Sequence, residues 1–480
     1  MRKGIILVNA LVFGAVAAMI ISGLVSYGTA VVKTSRQLVG REQAFHIAEA
    51  GIDYYRWHLA HAATDYYDGN ATTTSPGPYT HAFYDKDNNQ IGEYRLTITP
   101  PPVGSTVVRI KSEGVYFDPV GDISRSIQVS LAIPSLAKYA VAANSVMRFG
   151  VGTEVFGPIH SNDGMRFDGI AHNLITSAKS TYTDTDSDAC TTNSWAVHTC
   201  VNPDDPTPPT AVPDRPDVFG AGRSFPVPTI DFTGMTTDLS QIKSNAQSAG
   251  RYFAPSGSQG YRILLRTNDT FDIYRVTGLT SPSSSCSNSA SQAAEQDGWG
   301  TWSVRTQTYV GNYPIPANGL IFVEDHVWVE GTVNTARVTI ASARFPDSTS
   351  TRTSITVNNP LRYTNTDGTD SIALIAQNNM NVGLVSSSTM QIDAAIIAQN
   401  GRVGRYYYNS SCTNYLRTTL TLYGMIATNK RYGFAYGSSP VVSGYATRNI
   451  IYDGNLLYAP PPSFPLTSNQ YQIVSWDEVR

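Results

Sequence analysis

Apolar residues run without a charge from Gly4 to Val32, a stretch of 29 residues. As a helix rising about 1.5 Å per residue, it is long enough to cross the roughly 30 Å hydrocarbon core of a bilayer. No proline separates it from "SRQLVGREQAFHIAEAGIDYYRWHLAHAA", where Ala44, Ile47, Ala48, Gly51, Ile52, Tyr55, Leu59 and Ala62 recur at helical spacing along one face. The pattern predicts one helix of nearly 60 residues, oily on all sides over 5–32 and amphipathic beyond, so that its second half packs on a soluble domain. Arg2 and Lys3 favour a cytoplasmic N-terminus, an asymmetry weakened by Lys33, Arg36 and Arg41.

Between His81 and Ile133 the period changes to two. Leu96 and Ile98, Val108 and Ile110, and Ile127, Val129 and Leu131 each place apolar side chains on one side of a strand. Three or four antiparallel strands would bury the helix stripe and complete an α+β module over 33–134.

From about 135 to 480 the chain repeats itself. "ALIAQNNMNVG" at Ala373 returns as "AIIAQNGRVG" at Ala395, and the outline recurs at Gly424 ("GMIATNKRYGF"), at Gly157 ("GPIHSNDGMRFDG") and more loosely at Gly319 ("GLIFVEDHVWVEG"). A spacing of roughly 20 to 30 residues marks a stacked architecture whose units cannot bury their apolar faces alone. The expected fold is a parallel β-helix-like solenoid, with polar, proline- and serine-rich insertions at about 176–228 and 278–300 and an aromatic cap at about 450–480. Asparagine tolerates the left-handed backbone of a sharp turn and can bond its copy on the next coil, so Asn162, Asn378, Asn400 and Asn429 are expected to form a turn ladder. Ile375 and Ile397 would point into the column, with Ile426 aligned. One helix interrupts this region, "TTDLSQIKSNAQSAG" from Thr236, which would cover an end or side of the coil.

Only 15% of residues are charged and the net charge is -3. Lysine and arginine look scattered along the chain, which argues against a nucleic-acid partner.

The leader "MRKG" followed by "IILVNALVFGAVAAMIISG" resembles a type IV prepilin N-terminus, and "AFHIAEAG" is similar to the start of PilX-type minor pilins; the likeness covers about the first 130 residues. It implies that residues 1–4 are a leader, cut by a membrane prepilin peptidase between Gly4 and Ile5, which leaves Ile5 as a methylated N-terminus. It also implies other pilin subunits and the pilus assembly machinery as partners. Most filament-forming pilins carry Glu at the fifth mature position, where this chain has Asn9, an amide that offers a hydrogen bond in place of a charge. That departure and the bulky head suit a minor or tip subunit, exposed outside the cytoplasm. "YAVAANSVMRFGVGTEVFGPIHSNDGMRFDG" and the C-terminal segment look like an uncharacterised domain family found behind pilin-type N-termini, which supplies architecture and no chemistry.

In that compartment disulfides are favoured, and none of the four cysteines has C-x-x-C spacing. Cys190 and Cys200 flank a polar loop and are read as a pair, the alternative being two unpaired thiols; a pair of Cys286 with Cys412 is left open by elimination and would need the two insertions to meet in space. "VEDHVWVEG" gathers Glu324, Asp325, His326 and Glu330, with Asp163 in the same turn column as Asp325, yet no carboxylate pair persists on neighbouring coils. No catalytic residue, metal site or cofactor is expected, and His160 in "GPIHSNDG" is read as a satisfied surface residue. The remaining readings are a membrane-anchored β-helix that binds or degrades glycan, a ligand on a surface glycan or protein, and a static, unprocessed anchor.

Overall fold

One helix, α1, runs from Arg2 to His61 without a break. The structure, a computed structural model, describes residues 2–70, 75–102, 105–232, 235–281, 283, 285–286, 301–437, 440–467 and 470–479. From Ile6 to Val39 α1 is exposed throughout, Ile6, Phe13 and Met19 to 70%, 73% and 74%. Among the described residues it is the one helix long and apolar enough to cross a membrane. Burial begins at Gly40. From there Ala44, Ile47, Ala48, Ile52, Tyr55 and Leu59 turn one stripe inward, as the helical period dictates.

The stripe meets an antiparallel sheet of β1 (Tyr79–Tyr84), β2 (Gln90–Thr99), β3 (Val108–Tyr116) and β4 (Ile123–Ala132). Leu96, Ile98, Val108, Ile110, Ile127, Val129 and Leu131 form the sheet side of this core. Each fully buried Ile or Leu contributes about 1.5 to 3 kcal/mol. Helix and sheet approach so closely that a Cβ on Gly114 would lie 2.1 Å from the carbonyl oxygen of Ala44. A fifth strand comes from the far end of the chain: Gln472–Val479 pairs antiparallel with β4, Gln472 opposite Ala132 and Trp476 opposite Val129. The cap expected at about 450–480 therefore divides, its last strand completing the small sheet. The Trp476 ring meets Phe45 edge-on at 5.8 Å, and Arg125 pairs with Glu478.

The second compact unit comprises Pro102–Thr106 and Pro134–Ser468. Its short strands stack in parallel on three faces. On the first face Ile321, Ile340, Leu374, Ile396, Ile426, Val141, Ile159 and Ile175 align in unbroken register and fill the interior. Ile375 and Ile397, expected to point inward, are one residue out of phase, because alternation sends neighbours to opposite sides of a strand. They face outward instead, into a second apolar cluster that also holds Leu239, Ile242 and Ala246 of α2 (Met235–Ala249) together with Leu456 and Phe464.

The stack does not follow chain order. Residues 141–177 make coils at one end, where Phe219 and Arg223–Ser224 also pair; the chain then passes to the opposite end at Arg251–Phe253 and winds back until Leu416–Thr428 docks on Val141–Ala143. The solenoid segment thus begins and ends beside its own middle. The Leu136 amide donates to the Pro465 carbonyl at 2.9 Å, and the Thr467 amide donates to the Pro134 carbonyl at 3.0 Å.

Candidate functional site

Where the first face ends, each coil turns sharply, and the backbone there is in strict register. The amides of Gln377, Gln399, Asn429, Asn144 and Asn162 each donate to the last strand carbonyl of the neighbouring coil, those of Ser342, Ala376, Ala398, Thr428 and Ala143 respectively. The single column expected through Asn378, Asn400, Asn429 and Asn162 divides in two. Asn429 and Asn162 belong to this first column, with Asn144 between them: Asn144 Nδ2 donates to Asn429 Oδ1, and Asn162 Nδ2 to Asn144 Oδ1, both at 2.8 Å. Asn162 also exchanges two hydrogen bonds with the backbone of Ile230. Asn378 and Asn400 lie one position further along, where the next coil carries Lys430. The shared asparagine masks a shift of one position, since "QN" in two repeats corresponds to "NK" in the third.

That second column forms one wall of a cleft of about 690 Å³. Six cationic side chains from separate stretches of sequence line it, Arg148, Arg352, Arg402, Lys430, Arg431 and Arg448, together with the amides of Asn378, Asn379 and Asn400 and the ring of Tyr436. The fold gathers cations that look scattered in sequence. Most are tied down. Asp186, from the insertion after Thr176, accepts two bonds from Arg431 at 2.6 and 2.7 Å and one from Arg148 at 3.4 Å. Arg148 also pairs with Asp188, and Arg352 with Asp347 at 2.8 Å. Arg402 donates to the Gly433 carbonyl and the Tyr436 hydroxyl, both at 3.1 Å.

Two cations differ. Arg448 is 4% exposed and bonds only neutral acceptors, among them the carbonyls of Tyr445, Ala446 and Val151 and the Thr153 hydroxyl. Burial pulls its guanidinium below its ordinary pKa. The Lys430 ammonium is exposed and has no partner among the described residues. Against six cations stand three carboxylates, Asp186, Asp188 and Asp347, so the cleft is positive in a chain whose net charge is -3. Its basic residues missed attention in sequence, although "QNGR" and "TNKR" repeat a cation just after the aligned turns.

The acidic cluster is broken up by its own partners. Glu324 binds Lys243 and the Tyr252 hydroxyl, Asp325 accepts from Ser256 and lies 3.2 Å from Arg344, and Glu330 binds Arg262 and Asn359. His326 accepts the Ser354 amide through Nδ1 at 3.1 Å. Asp163 accepts the Gly164 amide at 2.8 Å. His160, expected at the surface, is instead buried in the coil, 3.0 Å from both the Thr176 hydroxyl and the Asn162 amide oxygen, and burial lowers its pKa, which keeps it neutral near pH 7.

Disulfides join Cys190 to Cys200 and Cys286 to Cys412. His198 lies near the first of these, 1% exposed, its Nε2 3.5 Å from Asp184 Oδ2. Both sulfurs of that cluster are in the S–S bond, so they offer no thiolate to a cation. At the other end of the chain, Gly4 and Ile5 lie in α1 and Asn9 is exposed on it, while Met1 falls outside the described residues.

No family model matches the chain, and no curated protein matches it. Among solved structures it is similar to the crystal structure of the competence-associated pilin ComZ from Thermus thermophilus, with 13% identity over 92% of this chain and 98% of that one and a TM-score of 0.33. A likeness that distant carries no residue role or partner across.

Proposed function

We propose that the chain is a non-enzymatic minor or tip subunit of a type IV pilus-like or pseudopilus filament, displaying a β-helical head outside the cytoplasm for surface contact. One observation carries this reading: α1 is a single helix whose apolar first half is exposed from Ile6 onward and whose second half is stapled to a small sheet by a buried stripe. Bare apolar surface on that scale needs a bilayer, or the matching helices of other subunits, to cover it. The leader resemblance adds processing between Gly4 and Ile5 by a prepilin peptidase and methylation of Ile5. Asn9 supports a low-copy position, since an amide cannot neutralise the charged amine of a neighbouring subunit in an apolar bundle. The reading of the head as non-enzymatic is supported by Glu324, Asp325 and Glu330 each being held by its own donors.

Mass spectrometry of the protein from cells with an active prepilin peptidase tests the proposal. A chain beginning at methylated Ile5, co-purifying with filament subunits, is the expected result. A chain still beginning at Met1, with no pilus component attached, would leave a plain membrane anchor.

A further inference from the structure

We infer that the cleft beside the second turn column binds an acidic oligosaccharide, a chain of uronate sugars, along the stacked coils. This names the ligand of the displayed head in the reading above and rests on that reading for its setting.

The first argument is charge. Arg448 is sealed in the cleft wall with only carbonyl and hydroxyl acceptors, and Lys430 stands exposed with none among the described residues. Burying an unneutralised cation is costly, and a carboxylate entering the cleft recovers part of that cost. Arg431 and Arg148, both held by Asp186, keep the surroundings positive without being free to collapse onto the ligand.

The second argument is the neutral lining. The side-chain amide of Asn378 has no partner among the described residues. Asn400 spends its Nδ2 on the Gln377 carbonyl at 2.8 Å and keeps Oδ1 for another donor. Tyr436 accepts from Arg402 and retains its own proton to donate. Such groups both give and accept hydrogen bonds, as sugar hydroxyls require. They recur on coils spaced about 4.8 Å apart, which suits an extended chain laid across them.

A nucleic acid fits less well. It carries a charge on every nucleotide and is held by many free cations and by exposed rings for base stacking. Here Lys430 is the exposed cation without a partner among the described residues, and Tyr432 and Phe434 are buried.

Calorimetric titration of the full chain in detergent micelles, with an oligogalacturonate and with its fully methyl-esterified form, tests the inference. The acid should bind about tenfold or more tightly than the ester, and the difference should shrink with added salt. Lys430→Gln, at an exposed site that leaves packing untouched, should weaken acid binding by about tenfold and ester binding hardly at all. Equal affinity for acid and ester, no binding of either, wild-type affinity in K430Q, or tighter binding of duplex DNA than of the oligouronate each overturns it. The acid and ester comparison uses the wild-type chain and so does not depend on how a variant folds. Filament incorporation is scored separately by cross-linking in cells. Lost binding with incorporation intact removes the ligand alone, and binding without incorporation removes the filament reading alone.

Discussion

Asp393 shows how a single group in the coil wall records its surroundings. It is 2% exposed, accepts the Tyr363 amide at 3.0 Å and the Gln391 side chain at 2.9 Å, and its charge is felt by the buried Asp453. Burial raises its pKa above the ordinary carboxylate range, and burial and then the Asp393 charge do the same for Asp453. A raised native value means the folded chain holds the proton longer than the unfolded chain does. The stability this contributes is complete below the ordinary carboxylate pKa and is lost as pH rises through the native value. Asp347 and Asp188, whose pKa values are lowered mainly by hydrogen bonds from Arg352 and Arg148, slope the other way, so the wild-type profile alone is mixed. The difference between wild type and Asp393→Asn isolates the term. Thermal unfolding from pH 7 down to pH 4 should show the wild type gaining on D393N as acid is added; a constant gap would mean that Asp393 does not titrate above its unfolded value. None of this was legible in sequence, because "QIDAAII" reads as an ordinary strand until the fold places Asp393 near Asp453, 60 positions later.

At the scale of elements, periodicity was readable wherever one face of a segment is buried. The stripe from Ala44 to Leu59 and the alternation through Leu96, Val108 and Ile127 specify a helix on a sheet because each phase leaves one side for the core. Coil strands buried on both sides lose that signal. "ALIA" and "AIIA" are apolar throughout, so nothing local distinguishes Leu374, which belongs to the interior cluster, from Ile375, which belongs to the cluster on the outer side of the strand. The C-terminal strand was hidden for a different reason: its partner β4 lies some 340 residues earlier, and no short-range pattern announces a pairing so distant. Its role in the small sheet yields a prediction. Ending the chain at residue 468 removes the strand's hydrogen bonds, the Phe45–Trp476 contact and the Arg125–Glu478 pair, and bares the edge of β4. The truncated chain should lose stability in the small unit, lowering its transition by several degrees, about 4 to 8 °C for each kcal/mol in a domain of that size. It should also self-associate in detergent; calorimetry and light scattering unchanged from the full chain would refute the assignment.

Across the whole molecule, the small unit is continuous in space but interrupted in sequence, with the solenoid inserted between two adjacent antiparallel strands. Joining Ile133 to Gln470 through a short turn of about two to four residues should close an ordinary hairpin. The shortened protein is expected to keep its helix and a protease-resistant sheet; a chain that aggregates or is digested throughout would show that the small unit cannot stand without its insertion. Repeats in the sequence pointed to coils, but their spatial order was unreadable, because Val141 and Ile426 carry no mark that they are neighbours. The crossover to Arg251 and the return that docks Leu416–Thr428 on Val141–Ala143 also decide how the molecule comes apart under tension. A motor threading the polypeptide from its carboxyl end first strips away the strand ending at Val479 and then reaches Ser443–Tyr452, wedged between Leu416–Gly424 on one side and Thr153–Phe156 on the other. Traction from that terminus snaps the pile at an inner layer and cannot unspool it turn by turn, so dismantling by a translocating protease would advance in one large jump.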